Sequence, residues 1–327
     1  MCYNRRMQKN HKGKELVAVL ETWYAEKKRP MPWRLNPTPY GCWLSEIMMQ
    51  QTTYAAVLPY YERFLARFPS VESLAAADEA DVLKQWEGLG YYARARNLHK
   101  AARSLVVDGK AAWPKSAAEW AKVPGVGPYT AAALASVLKG EPVPVVDGNV
   151  ARVFARYWMI SEDFKKLPAR ARLAERLTPE IEQAAVPGNF NQAMMELGAL
   201  VCTPTSPDCG VCPLRSGCAA RKKGVQTDYP IKVAKGSVPT RRATQVIIPD
   251  EKGRILLVQN REGGLLKGLW ELPTVEPSIG LTQVFSHFKL ELSTVKVLRK
   301  DAEFKVPGSV PLATTTRKVL EAAGFEL

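Results

Sequence analysis

The sequence predicts an all-α region followed by a smaller α+β domain, and three observations carry that reading. From Lys14 to about Lys223 apolar residues recur at spacings of three and four, as in LVAVLETWY, and Ala-rich runs such as VESLAAADEADVLKQW alternate with Pro or Gly breaks, the pattern of helices that each bury one face. The tract DYPIKVAKGSVPTRRAT, with two prolines, a glycine and mixed charge, reads as a linker. Beyond it the texture changes. TQVIIPDEKGRILLVQN has the signature of a hairpin around an Asp-Glu-Lys-Gly turn, QVFSHFKLELSTVKVL carries alternating strand-like segments, and VPLATTTRKVLEAAGF closes as a helix. These boundaries place a helical region at 1–228, a linker at 229–241 and an α+β domain at 242–327.

A chain of 327 residues accommodates two or three domains at about 150 residues each. Forty-six Lys and Arg face thirty-two acidic residues for a net charge of +14, and from Ser237 onward thirteen basic residues meet ten acidic ones, so most of the excess lies in the helical region. A balance of this kind attracts polyanions, of which nucleic acid is the commonest in a cell; generic solubility charge accounts for the composition equally well. No stretch approaches the roughly 18 apolar residues of a membrane span. The opening MCYNRRMQKNHKGKE has no apolar run behind its basic residues, so a secretory signal is not expected. The expectation is a soluble, cytoplasmic monomer without membrane contact.

Four of six cysteines lie in CTPTSPDCGVCPLRSGC, with Cys202, Cys209, Cys212 and Cys218 separated by six, two and five residues. In a reducing compartment such a cluster points to a metal and not to disulfides. A four-thiolate zinc site commonly pairs its ligands as two CxxC knuckles, and only Cys209 and Cys212 make one. The spacing leaves zinc and an iron–sulfur cluster equally open. Either would order a loop with little core of its own. Cys2 and Cys42 read as idle thiols.

Three further stretches carry chemistry. In PGVGPYTAAALAS, Gly125, Val126 and Gly127 make a tight turn before a helix, where backbone N–H groups can hold a phosphate without a side chain. Asp147 stands in VPVVDGNVARVFAR at the end of an apolar run and just before a helix; an N-cap explains it on local grounds. Glu46, in WLSEIMMQQTTY, has no Lys or Arg at i+3 or i+4, so it reads as an acid whose pKa burial would raise, or as part of an exposed face.

Taken together, PMPWR at 30–34, WLSEIMMQQT at 43–52, WEGLGYYARARNLH at 86–99, VPGVGPYTA at 123–131, VDGNVARV at 146–153 and the four-cysteine spacing resemble the helix-hairpin-helix DNA glycosylases that carry a [4Fe-4S] cluster, and within them the MutY-type adenine glycosylases. The resemblance implies a six-helix module plus an iron–sulfur module, with Cys202, Cys209, Cys212 and Cys218 holding the cluster. GLWELP at 268–273 and FSHFKLEL at 285–292 extend it into a MutT-like (Nudix) domain. That domain has no Nudix box and only eleven residues between GLWELP and FSH, so a shortened domain that binds 8-oxoguanine without hydrolysis is expected. The related endonuclease III branch carries a lysine where Tyr129 stands; its amine forms a Schiff base and cuts the strand. Tyr129 therefore implies a glycosylase that removes a base and leaves the backbone intact.

The same resemblance implies the site. Glu46 would protonate the leaving adenine, Asp147 would stabilise the sugar cation, and Tyr129 and Asn149 would position these groups and the water. Gln192 would pair with the flipped base, with Arg29 and Trp33 lining its pocket. On the opposite strand Met49 and Tyr91 would insert beside the lesion and Gln51 would hydrogen-bond it, while Phe285, Ser286 and His287 would contact 8-oxoguanine. The partner implied is double-stranded DNA with adenine opposite 8-oxoguanine or G. The rivals are a thymine or uracil mismatch glycosylase of the same superfamily and a non-catalytic DNA-lesion-binding protein.

Overall fold

Prolines open the helices where a missing backbone N–H is harmless. A computed structural model describes residues 2–231, 244–261, 266–284, 289–297 and 302–327. In chain order its helical part holds α1 (Cys2–Lys27), α2 (Pro32–Leu35), α3 (Pro39–Met49), α4 (Tyr54–Arg67), α5 (Val71–Ala76), α6 (Glu79–Trp86) and α7 (Ala93–Leu105). A short hairpin, β1 (Val106–Val107) and β2 (Lys110–Ala111), precedes α8 (Ala117–Trp120), α9 (Pro128–Lys139), α10 (Gly148–Trp158), α11 (Leu167–Ile181), α12 (Pro187–Leu200) and α13 (Ala219–Lys223). Proline sits in the first turn of α2, α9, α11 and α12. Ser70 caps α5 through a reciprocal box with Ser73.

The hairpin is a departure from the all-helical expectation. Its turn is Asp108-Gly109, both at positive φ, the Asp-Gly pair that two-residue hairpin loops favour.

The C-terminal part comprises β3 (Thr244–Gln245), β4 (Ile255–Gln259), β5 (Trp270–Glu271), β6 (Thr274–Val284), β7 (Lys289–Val297), β8 (Ala302–Lys305) and α14 (Thr314–Ala322). The expected turn after Pro249 forms: the Asp250 carboxylate accepts from the Lys252 and Arg254 amides at 2.9 and 2.8 Å. The arms pair antiparallel beside it, with Pro249 bridged to Ile255 and the Leu256 amide donating to Ile248 O at 2.9 Å; farther from the turn, β3 and β4 join different sheets, ordered β3-β6-β7 and β5-β4-β8. The strand-like alternation of QVFSHFKLELSTVKVL becomes the antiparallel pair β6 and β7, in register from Val275 opposite Val297 to Val284 opposite Lys289, with a bulge at Ser278/Gly280. The eleven residues between GLWELP and FSH form β6 alone. Phe285, Ser286 and His287 lie outside the described residues.

The chain divides into two compact units, Met1–Ile47 with Ala112–Gly236, and Met48–Ala111 with Ser237–Leu327. The core of the first gathers Leu20 of α1, Phe154 of α10, Leu177 of α11 and Phe190 and Leu197 of α12, each fully buried. Gly198 lets α12 meet α10 closely, because a Cβ there would fall 2.5 Å from that of Asn149. In the second unit Ile255, Leu257, Trp270, Leu272, Leu312 and Leu320 form a small core. Its C-terminal residues bond to α6, α7 and the turn between them: Arg317 Nε donates to Glu87 Oε1 at 2.6 Å, Tyr92 Oη to Leu312 O at 3.3 Å and Arg96 Nη1 to Lys267 O at 2.9 Å. Among the described residues no helix is long and apolar enough to cross a membrane.

Candidate active site

The first unit brings Glu46, Tyr129, Asp147 and Asn149 together. Gly125 adopts φ 77°, a left-handed turn that suits glycine, and Gly127 then caps α9 with Pro128 at its start. Tyr129 thus stands in the first turn of α9, where a side chain leans back toward the helix N-terminus. Its hydroxyl donates to Met195 Sδ at 3.2 Å and acts on the Glu46 carboxyl, whose pKa it lowers. Burial first, then the Glu46 and Asp147 charges, push the Tyr129 pKa well above the ordinary value. It stays a phenol and a donor at neutral pH.

Glu46, three residues from the end of α3, keeps an accessible face. Burial raises its pKa to about 7; the Tyr129 hydrogen bond and the Arg34 charge oppose the rise and Asp147 adds to it. A carboxyl so poised is half protonated near neutrality, the state a general acid needs.

Asp147 is the N-cap of α10, and its Oδ1 accepts from the Val150 amide at 2.7 Å. Capping uses one oxygen. Oδ2 accepts from Asn149 Nδ2 at 2.8 Å, and Asn149 Oδ1 in turn accepts from Arg152 Nη2 at 2.8 Å. Since an arginine can only donate, that bond decides which way the Asn149 amide faces. Arg152 is held by the Gly198 and Cys202 carbonyls, both at 2.8 Å. Burial raises the Asp147 pKa against the pull of these donors.

A second cluster holds Arg29 and Gln192. The carboxylate of Glu196, 1% exposed, accepts from Arg29 Nε at 2.7 Å, Arg29 Nη2 at 2.9 Å and Arg34 Nη2 at 3.0 Å. Burial alone would raise its pKa; the Arg29 and Arg34 bonds outweigh that and hold it below the ordinary range. Gln192 Oε1 accepts from Tyr24 Oη at 2.6 Å, and the Arg34 guanidinium carbon lies 5.6 Å from the Tyr24 ring centroid. Trp33 is buried in α2, and its carbonyl accepts from the buried Cys42 thiol at 3.6 Å. Sequence reasoning missed Arg34, Glu196, Tyr24 and Arg152. Arg34 closes the quoted PMPWR motif, which was a signal for it; Tyr24 meets Gln192, and Glu196 meets Arg29, across more than 160 residues, and neither left a signal.

In the second unit Met49 ends α3, while Gln51 and Tyr91 occupy turns and not helices, at φ 59° and 50°. Of the hairpin residues, Gly125 and Gly127 are exposed, whereas Val126 is buried and its N–H donates to Val123 O at 3.1 Å. That amide is engaged within the turn.

Cys202, Cys209, Cys212 and Cys218 line one cavity, with Arg156, Leu214 and Arg221. Among the described residues no three His, Cys, Asp or Glu side chains are grouped to ligate a single metal ion. Four thiols lining one cavity are a donor set that iron and zinc both accept. Arg156, 2% exposed, braces the loop by donating to Thr203 O at 2.7 Å, Pro204 O at 2.8 Å and Tyr229 O at 2.9 Å.

Residues 44–179 match the family model described as HhH-GPD superfamily base excision DNA repair protein. The chain is 33% identical to adenine DNA glycosylase of Buchnera aphidicola from Acyrthosiphon pisum, with 85% of each chain covered. It is 38% identical to adenine DNA glycosylase of Arabidopsis thaliana and 35% identical to that of Homo sapiens, over 77% and 79% of its own length; it spans 46% and 57% of those longer relatives. Among solved structures a thermostable thymine-DNA glycosylase matches with TM-score 0.59 at 26% identity, covering 66% of this chain and 99% of the other. An endonuclease III in a DNA complex shares the fold, with TM-score 0.55 at 22% identity over 65% of this chain and 98% of that one.

Proposed function

The chain belongs to the adenine DNA glycosylase family within the HhH-GPD superfamily of base excision DNA repair proteins, and from that premise we propose that it excises adenine opposite 8-oxoguanine or G without cutting the strand. The observation that carries the reading is the pairing of Glu46, with a pKa near 7, with Tyr129 and Asp147 in one site. Such a pair of carboxylates in unlike environments divides acid from anion.

The adenine is extruded from duplex DNA into the site. Protonated Glu46 donates to adenine N7, the C1′–N9 bond breaks and its electron pair leaves with the base. Asp147 stabilises the oxocarbenium ion that remains. A water then adds at C1′ and returns its proton to Glu46. Asn149 keeps Asp147 aimed, and Gln192, Arg29 and Trp33 bound the base. No lysine stands where Tyr129 does, so no Schiff base forms and the abasic strand stays intact.

Cys202, Cys209, Cys212 and Cys218 would hold a [4Fe-4S] cluster, which supplies cross-linking of the 202–218 loop and no step of the reaction. Gly125 and Gly127 support contact with the DNA backbone. Met49, Gln51 and Tyr91 face the strand opposite the adenine, and Phe285, Ser286 and His287 of the 242–327 domain contact 8-oxoguanine. The enzyme acts as a monomer in the cytoplasm, on the nucleoid.

The test is release of free base from duplexes with A opposite 8-oxoguanine, A opposite G, and T or U opposite G. Release of adenine alone supports the reading; release of thymine or uracil would transfer the chain to the mismatch branch, and binding without release would make it a non-catalytic lesion binder.

A further inference from the structure

Four described non-glycine residues adopt positive φ. Asp108 does so in the Asp-Gly hairpin and Met159 as the C-cap of α10. Gln51 lies in the turn that ends α3, closed by the Thr52 amide on Met49 O at 3.2 Å, and Tyr91 lies just before α7; neither is a residue type that favours this region. For residues with a Cβ this region costs on the order of 1–3 kcal/mol and persists only where the surroundings over-determine it.

The surroundings are supplied by Arg94. From the first turn of α7 its Nη1 donates to Met48 O at 2.6 Å and Gln50 O at 2.7 Å, and its Nη2 to Thr52 Oγ1 at 3.2 Å, Gly90 O at 3.2 Å and Leu89 O at 3.4 Å. It therefore bonds on both sides of Gln51 and directly before Tyr91. Its own amide donates to Tyr91 O at 2.8 Å. The guanidinium carbon lies 5.4 Å from the ring centroids of both Tyr91 and Trp86, a cation–π distance.

Arg94 is 9% exposed, and none of those five acceptors is a carboxylate. Burial lowers its pKa to about 10, so it is charged at neutral pH. A buried cation whose Nη atoms donate to carbonyl and hydroxyl oxygens is costly as a stabilising device. Its fork geometry, by contrast, is what two separate turns need to be held in one arrangement. The surface it supports is open: Tyr91 is 53% exposed and Gln51 is exposed. An aromatic ring on a rigid base is a stacking platform for a nucleobase.

We propose that Arg94 is a positioning residue that locks the Gln51 and Tyr91 turns in their strained conformations before DNA arrives, so that the surface facing the strand opposite the adenine is built in advance. The proposal rests on the reading of Gln51 and Tyr91 as contacts to that strand.

The test is a double-mutant cycle of Arg94→Lys and Tyr91→Ala. Its readout is the Kd of the full chain for a duplex with 2′-fluoro-2′-deoxyadenosine, whose glycosidic bond resists cleavage, opposite 8-oxoguanine. Lysine keeps the charge and loses the fork. Tyr91→Ala should weaken binding about tenfold in the parent, the scale of one base stacked on an aromatic ring, and by less than about threefold in the Arg94→Lys background, because the platform is already lost. Equal losses in both backgrounds would overturn the lock alone. No loss from Tyr91→Ala in the parent would take down the reading of Tyr91 as a DNA contact, and the lock with it. Should Arg94→Lys fail to fold, Thr52→Val removes one of the bonds and serves in the same cycle: a smaller coupling of the same sign is expected, and strict additivity overturns the proposal.

Discussion

The region around Glu46 and Asp147 and the region around Gln51 and Tyr91 are built on opposite principles. In the first, regular helices present acids whose bonds are allotted one by one: Asp147 between Val150 and Asn149, Asn149 between Asp147 and Arg152, Glu196 between Arg29 and Arg34. In the second the backbone itself is strained, and one buried arginine bonds to neutral oxygens. Chemistry requires a proton at a chosen atom, which electrostatics sets. In the proposed reading, contact with the opposite strand requires a shape, and a stiff turn sets that.

The comparison predicts that mutations in the two regions fail differently. Glu46→Gln removes the acid and should lower single-turnover adenine release by about 10²- to 10⁴-fold while binding persists. Asp147→Asn should fall in the same range without unfolding the protein, since asparagine also caps a helix. Survival of release in either variant would break the acid–anion assignment.

The pH profile gives the next largest effect. The Glu46 pKa is raised to about 7, so the required acid form is present below that pH and lost above it. Single-turnover release should decline through pH 7, approaching about tenfold per unit. Tyr91→Ala should weaken binding and leave this midpoint in place. A midpoint that moved with Tyr91 would erase the distinction between the regions.

Smaller effects sharpen the picture. Tyr24→Phe frees the Gln192 amide and should lower kcat/KM for adenine release about fivefold, matching roughly 1 kcal/mol for a lost hydrogen bond. Glu87 is 3% exposed at its side chain and pairs with Lys84 at 2.8 Å and Arg317 at 2.6 Å. Both partners retain solvent contact, so Glu87→Gln should destabilise the second unit by about 1–2 kcal/mol, read as a lower denaturant midpoint with the pH profile unchanged.

Legibility in the sequence followed spacing. Locally, Asp147 read as a cap, Glu46 as a buried or exposed acid and the four cysteines as a metal site; the roles given to them and to Tyr129 came from the resemblance to the glycosylase family, while the change from helical to strand periodicity near the linker announced the α+β part. Contacts between distant segments left no such trace. Glu196 meets Arg29 across 167 residues, and Tyr92 meets Leu312 across 220, so neither the second cluster nor the packing of α6 and α7 with the C-terminal part was readable. Positive φ at Gln51 and Tyr91 was hidden for another reason: left-handed turns are announced by glycine or asparagine, and here an arginine imposes them on residues with no such preference. Asp108-Gly109 did carry a turn signal, submerged by the helical period on either side.

The most direct measurement of the central claim is single-turnover processing of a duplex with adenine opposite 8-oxoguanine, each time point divided into samples with and without alkali. The account predicts release of free adenine and strand breaks that appear only after alkali. Strand breaks without alkali would contradict it, because they would require an amine nucleophile where Tyr129 stands.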